Sequence, residues 1–122
     1  MILVDTSVWV DYLRAGNESL VELLRRGEVL THPFVIGEIA LGDLRQRELV
    51  LGTLSRLPGA AVATHAEVMR FVDRRALFGR GVGYVDVHLL AAARLTTGAS
   101  LWTYDKRLHQ IAASLGLAAP RL

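Results

Sequence analysis

Ile2-Leu3-Val4 runs straight into Asp5, and the apolar pattern resumes only after Thr6 and Ser7. A three-residue apolar run between helical patterns reads as a strand buried on both faces. Such strands belong to parallel sheets covered by helices, not to half-exposed antiparallel ones. The pattern recurs: short strands are predicted at Val29–Thr31, Ala60–Ala63 and Ser100–Thr103, separated by helices. This alternation predicts an α/β fold with a short, mainly parallel sheet and helices on both faces.

The helices follow from their punctuation. Thr6–Leu13 is predicted as the first, ending near Ala15-Gly16, with Asn17 or Ser19 capping a second at Leu20–Arg26. Pro33 suits the first turn of a helix running to about Leu41. Asp43 is expected to cap the next, which reaches roughly Leu57 before Pro58-Gly59. Thr64, with Glu67 three residues on, forms a capping box for a helix to Phe78. Phe78–Gly83 reads as a Gly-rich loop, Tyr84–Leu95 as helix, and Asp105 as the cap of a helix to about Leu115. The tail, Leu117–Leu122, is a candidate edge strand.

Size and composition bound the rest. The 122 residues suit one domain over 1–122. With 52% hydrophobic residues and a mean hydropathy of +0.33, the chain has more apolar surface than a domain this small can hide, so a partner is expected to cover some. No apolar run approaches membrane-spanning length, and Asp5 arrives too early for a signal peptide. The absence of cysteine excludes disulfides, thiolate metal sites and a Cys nucleophile, and fits a cytoplasmic protein. The net charge of +2 does not by itself call for nucleic acid.

Four carboxylates stand out. Asp5 follows the first strand and Asp105 the last. In a parallel sheet all carboxyl ends lie on one edge, where ligands bind. Glu38 lies in the otherwise apolar or small "FVIGEIALG", and Asp86 in "GYVDVHLLAAA". Helices apolar all round are buried, and a carboxylate buried in one is costly unless paired or metal-bound. Each acid alone has an ordinary explanation: an N-cap for Asp5 and Asp105, a first-turn acid for Asp86, an arginine partner for Glu38. One shared cleft explains all four. Crowded carboxylates repel, and a hard divalent cation relieves that repulsion.

The blocks "MILVDTSVWVDYL", "IGEIALG", "GVGYVDVHLLAAA" and "LWTYDKRL", in that order across nearly the whole chain, resemble a PIN-domain ribonuclease, and more closely the VapC toxins of bacterial toxin–antitoxin pairs. The resemblance implies a three-layer α/β/α sandwich. It implies Mg²⁺ or Mn²⁺ at an acidic cluster, cleavage of single-stranded or loop RNA, a homodimer, and a small antitoxin lying across the groove. The family's acids fall on Asp5, Glu38, Asp86 and Asp105, and its hydroxyl residues on Thr6, Ser7 and Thr103. The expected mechanism is metal-assisted phosphodiester hydrolysis. Asp5, Asp86 and Asp105 hold the cation directly or through water, Glu38 orients the attacking water or holds a second metal, and the hydroxyls support the carboxylates.

Arg70, Arg74, Arg75 and Arg80 in "MRFVDRRALFGRG" are candidate RNA-phosphate ligands, against the reading of a solvated face paired with Asp73. "GRGVG" has the wrong spacing and setting for a dinucleotide fingerprint. The four histidines lack metal-ligand spacing and are expected in structural or surface roles. Trp9 and Trp102 are expected in the core or at a dimer contact. Ser7 lacks a G-x-S-x-G setting. A haloacid-dehalogenase-type phosphatase needs an acid where Ser7 stands, and a receiver domain needs a phosphoacceptor Asp where the chain offers Thr64-His65. The remaining alternative is a non-catalytic RNA- or protein-binding module of the same fold.

Overall fold

The computed structural model describes residues 1–120 and 122. Among them are three strands, β1 (Ile2–Val4), β2 (Val29–Leu30) and β3 (Ser100–Trp102). The helices are α1 (Thr6–Ala15), α2 (Glu18–Arg25), α3 (Pro33–Ala40), α4 (Arg47–Arg56), α5 (His65–Arg75), α6 (Tyr84–Leu95) and α7 (Lys106–Ser114). The sheet order is β2-β1-β3, all parallel, in a three-layer α/β/α arrangement. The register pairs Leu3 with Leu30 on one side and Leu101 on the other. β1 is thus the strand from which the chain departs to one side for β2 and, much later, to the other for β3. That makes its carboxyl end a topological switch point, where parallel sheets open a crevice.

All of β1 and β2 is buried, as the uninterrupted apolar runs require. Val8, Trp9, Leu20, Val35, Leu89, Leu90, Leu101, Trp102 and Leu108 complete the core around the sheet. α6 buries seven consecutive residues from Val87 to Ala93 and packs on β3 and α5. Both tryptophans lie in this core.

Several element boundaries differ from the sequence reading. Ala60–Ala63 is not a strand. Thr31 pairs with Gly59 in a single bridge, after which the Ala61 N–H turns away to the hydroxyl of Thr96, the residue just past α6. Asp43 does not cap α4. That helix starts four residues later, after Gln46 in the left-handed region (φ 53°), and the Arg47 guanidinium reaches back to the Ala40 carbonyl at 2.6 Å. α5 stops at Arg75 rather than Phe78. Ala76 turns left-handed (φ 50°), the Leu77 N–H bonds the Val72 carbonyl at 3.0 Å, and Leu77 drops into the core. In the tail, Ala118 makes one parallel bridge with Leu101; Arg121, part of the predicted edge strand, lies outside the described residues. Asn17, not Ser19, caps α2 through the Leu20 N–H, and the Thr64–Glu67 capping box is present. No helix among the described residues is long and apolar enough to cross a membrane.

Candidate active site

Asp5 follows the central strand and is buried. Its N–H donates to the Trp102 carbonyl at 2.9 Å, so the ladder with β3 holds it one residue past the strand. Its side chain does not cap α1. Instead, its Oδ2 accepts the hydroxyls of Ser7 and Thr103, each at 2.7 Å. Those hydroxyls in turn accept backbone N–H groups, Ser7 from Tyr104 at 3.1 Å and Thr103 from Asp105 at 3.0 Å. Hydroxyl groups thus sew the carboxyl ends of β1 and β3 together around one carboxylate.

Helices deliver the other three acids. Asp105 is the N-cap of α7, its Oδ1 accepting the Leu108 N–H at 2.9 Å. Asp86 sits in the first turn of α6, its Oδ2 accepting the Gly83 N–H at 3.0 Å. Glu38, on α3, accepts the Thr6 hydroxyl at 2.7 Å. Contrary to the expectation of a buried carboxylate, Glu38 is exposed: α3 fully buries only Val35 and Ile39, so its apolar composition does not make it apolar all round. For Asp86 and Asp105 the ordinary explanation and the cleft both hold, because one oxygen caps a helix and the other does not.

Burial raises the Asp86 pKa, and the charges of Asp5, Asp105 and Glu38 raise it further, while the Gly83 N–H works the other way. Asp86 therefore feels all three other acids. Among the described residues, each of the four carboxylates has hydrogen bonds to one oxygen only. An oxygen-only donor set with one uncommitted oxygen per residue has the chemistry a hard cation takes. Among the described residues, however, no three acid or imidazole side chains form a group able to enclose an ion unaided.

Beside the acids lies a dry aromatic cluster. His32 is fully buried, and its Nδ1 accepts the Phe34 N–H at 3.0 Å, capping α3. An acceptor Nδ1 leaves the ring proton on Nε2, which has no partner. His88, two residues past Asp86, is also buried with both ring nitrogens unpartnered, and lies edge-on to Phe34 and Tyr84, 4.6 Å from each. The Tyr84 hydroxyl meets His65 Nδ1 at 2.8 Å. Burial, helped by His88, lowers the His32 pKa from 6.5 to about 4. His32 and His88 are therefore structural, held on the helices that carry Glu38 and Asp86, while His65 lies exposed at the start of α5.

Of the candidate arginines, Arg70, Arg74 and Arg75 line one pocket between α5 and α6, while Arg80 lies outside it on the loop before α6. The sequence reading missed Arg94, which lines the same pocket, although it is the only charged residue after Asp86 in α6. It also missed Arg107, whose guanidinium packs against Gly81 (φ 79°); any Cβ at Gly81 would collide with it.

The PIN domain family model matches residues 2–114, a span that includes all four acids. Ribonuclease VapC32 of Mycobacterium tuberculosis is 53% identical over 118 residues in both strain CDC 1551 / Oshkosh and strain ATCC 25618 / H37Rv. The alignment covers 97% of this chain and 95% of that relative. With a parallel sheet whose switch point gathers acids from four separate segments, this chain belongs to the PIN-domain family.

Proposed function

We propose that this protein is a divalent-cation-dependent endoribonuclease that hydrolyses phosphodiester bonds in single-stranded or loop RNA as the toxin of a toxin–antitoxin pair. One observation supports the reading: at the sheet's switch point four carboxylates from distant segments lie near enough for the charges of Asp5, Asp105 and Glu38 to act on Asp86, each with an oxygen to spare. The 53% identity to a protein named a ribonuclease supports it.

Asp5, Asp86 and Asp105 would hold Mg²⁺ or Mn²⁺, partly through water, since Mg²⁺ keeps several waters and takes one or two carboxylates plus substrate phosphates. Such an ion, when bound, lowers the pKa of water and polarises a phosphate oxygen. The chain's own contribution is orientation. Ser7 and Thr103 fix the Asp5 carboxylate, the Leu108 and Gly83 N–H groups fix those of Asp105 and Asp86, and Thr6 aims Glu38 at the attacking water. Arg70, Arg74, Arg75 and Arg80 supply positive charge for RNA phosphates outside the acidic edge.

A homodimer bound by a small antitoxin in the cytoplasm completes the reading. It is supported by exposed apolar side chains, among them Leu41 at 90%, and by an apolar groove of about 470 Å³ lined by Trp9, Tyr12, Leu24, Leu49 and Val50.

The test is cleavage of end-labelled RNA in Mg²⁺, Mn²⁺ or EDTA by the wild type and Asp5→Asn. The wild type cuts only with metal, and the variant, with an unchanged circular dichroism spectrum, loses at least ~100-fold in rate, the scale of removing a key electrostatic group. Cleavage by Asp5→Asn at the wild-type rate overturns the assignment, and tight RNA binding without cleavage points to a binding module instead.

A further inference from the structure

The pocket between α5 and α6 contains an arrangement that the acidic edge does not use. Arg70, Arg74, Arg75 and Arg94 border a cavity of about 260 Å³ together with Phe71 and Glu67. The ion pairs among the described residues involve only Arg14, Arg25 and Arg26, so none of these four guanidiniums is neutralised by an Asp or Glu, Asp73 included. Glu67 is the one carboxylate lining the pocket, near enough for the Arg70 charge to act on it, while its Oε1 accepts the Thr64 N–H at 2.8 Å. The Arg94 guanidinium lies over the Phe71 ring, 5.9 Å from its centroid. Four guanidiniums against one carboxylate leave the cavity lining positive, and an anion shared between them relieves their repulsion.

We infer that this pocket is a second RNA-docking site, remote from the acidic edge, which grips the backbone of a single strand and stacks an unpaired base on Arg94. The inference rests on the reading of the chain as a ribonuclease and extends it to how much RNA is held. Guanidiniums take phosphate bidentately, and their planes stack on unpaired bases. Phe71 lies against Arg94, and a base would stack on the guanidinium from the side away from that ring. A string of carboxylates would satisfy the charge but not the stack, which favours RNA over an acidic peptide. Arg94 and Asp86 share α6, eight residues apart. That is about 12 Å along the axis and roughly a quarter-turn around it. A stacked strand, at about 3.4 Å per nucleotide, spans that rise in roughly four nucleotides. The pocket and the acids therefore contact the same strand only when it is longer than that.

The experiment measures binding of a fluorescent single-stranded 12-mer by the full chain in EDTA, from 50 to 200 mM salt. The variants are Arg74→Gln/Arg94→Gln and Arg70→Gln/Arg75→Gln, with Arg25→Gln/Arg26→Gln on α2 as a control of equal charge change. Each pocket pair should flatten the log–log salt slope by about 1.4, roughly 0.7 for the one phosphate contact each arginine makes on a single strand, and the control should not. The Arg70/Arg75 pair keeps the test valid if losing the Arg94–Phe71 contact unfolds the first variant. Lysine at the same positions should restore the slope but not the full affinity, since ammonium does not stack. In wild type the slope should steepen between a 3-mer and an 8-mer. An unchanged slope in both pocket pairs overturns the site, as does lost binding of poly-glutamate with RNA binding intact. Cutting plays no part in EDTA, so a wild type that binds with this slope yet never cleaves would sink the nuclease reading alone.

Discussion

Two clusters of titratable side chains lie side by side in this molecule and are treated in opposite ways. At the sheet edge, four carboxylates are gathered with one oxygen each fixed by a hydroxyl or backbone N–H and the other left open. Between α3 and α6, His32 and His88 are sealed among aromatic rings, with three of their four ring nitrogens bonding nothing and the fourth, His32 Nδ1, capping α3. α3 and α6 serve both clusters: Glu38 and Asp86 face one, Phe34 and His88 the other. Groups kept open and charged serve chemistry at a cost in stability; groups kept dry and neutral hold the helices that aim them. The contrast has a pH signature. His32 titrates near 4 in the fold and at its ordinary 6.5 when unfolded. In that window the unfolded chain holds the extra proton, so stability is full above it and lost as pH falls. Asp86 has the opposite sign: with its pKa raised, the folded state holds the extra proton, and stability is lost as pH rises through its window.

The largest separation of the two regions should come from His32. His32→Ala removes a fully buried ring and the cap of α3, and should cost about 2–4 kcal/mol in urea unfolding. His32→Asn, which keeps a capping acceptor, should flatten the stability loss of wild type between pH 6.5 and 4, a loss of roughly 3 kcal/mol at one proton. A wild-type stability that does not fall in that window would show that the ring is not kept neutral. On the acidic side, Thr103→Val removes one of the two hydroxyls on Asp5 and should lower RNA cleavage by about 10–100-fold while melting changes little. Equal losses of rate and stability would make Thr103 part of the structural cluster instead. The smallest effect belongs to Asp86→Asn in metal-free protein. Relief of crowding should leave stability unchanged or higher by at most ~1 kcal/mol after solvent screening, and should abolish any thermal shift on adding Mg²⁺. A clear destabilisation would mean that Asp86 matters mainly as a helix-start acid.

The acidic edge was legible from the sequence because its logic is local. Asp5 and Asp105 each follow a buried strand, and parallel strands end on one edge whatever lies between them. Thr64 with Glu67, and Asn17 at the start of α2, were legible for the same reason. What could not be read depends on the tertiary neighbour. Gln46 and Ala76 take left-handed backbone without being glycine because Arg47 bonds Ala40 and Leu77 seeks the core. Ala60–Ala63 has strand composition but loses its ladder to Thr96. Arg94 joins Arg70 and Arg74 only through the packing of α6 on α5, and no spacing along the chain encodes that.

The place of β1 at the centre of the sheet has a consequence in time. A polypeptide made from its amino end carries Asp5 for a hundred residues before Asp105 exists, about 5–20 s at ordinary rates of elongation. Until Ser100–Trp102 emerges, the first strand lacks one of its two neighbours, and the hydroxyl of Thr103 is not there to hold the carboxylate. A copy halted partway through translation therefore lacks both the edge strand and the hydroxyl that complete the acidic edge.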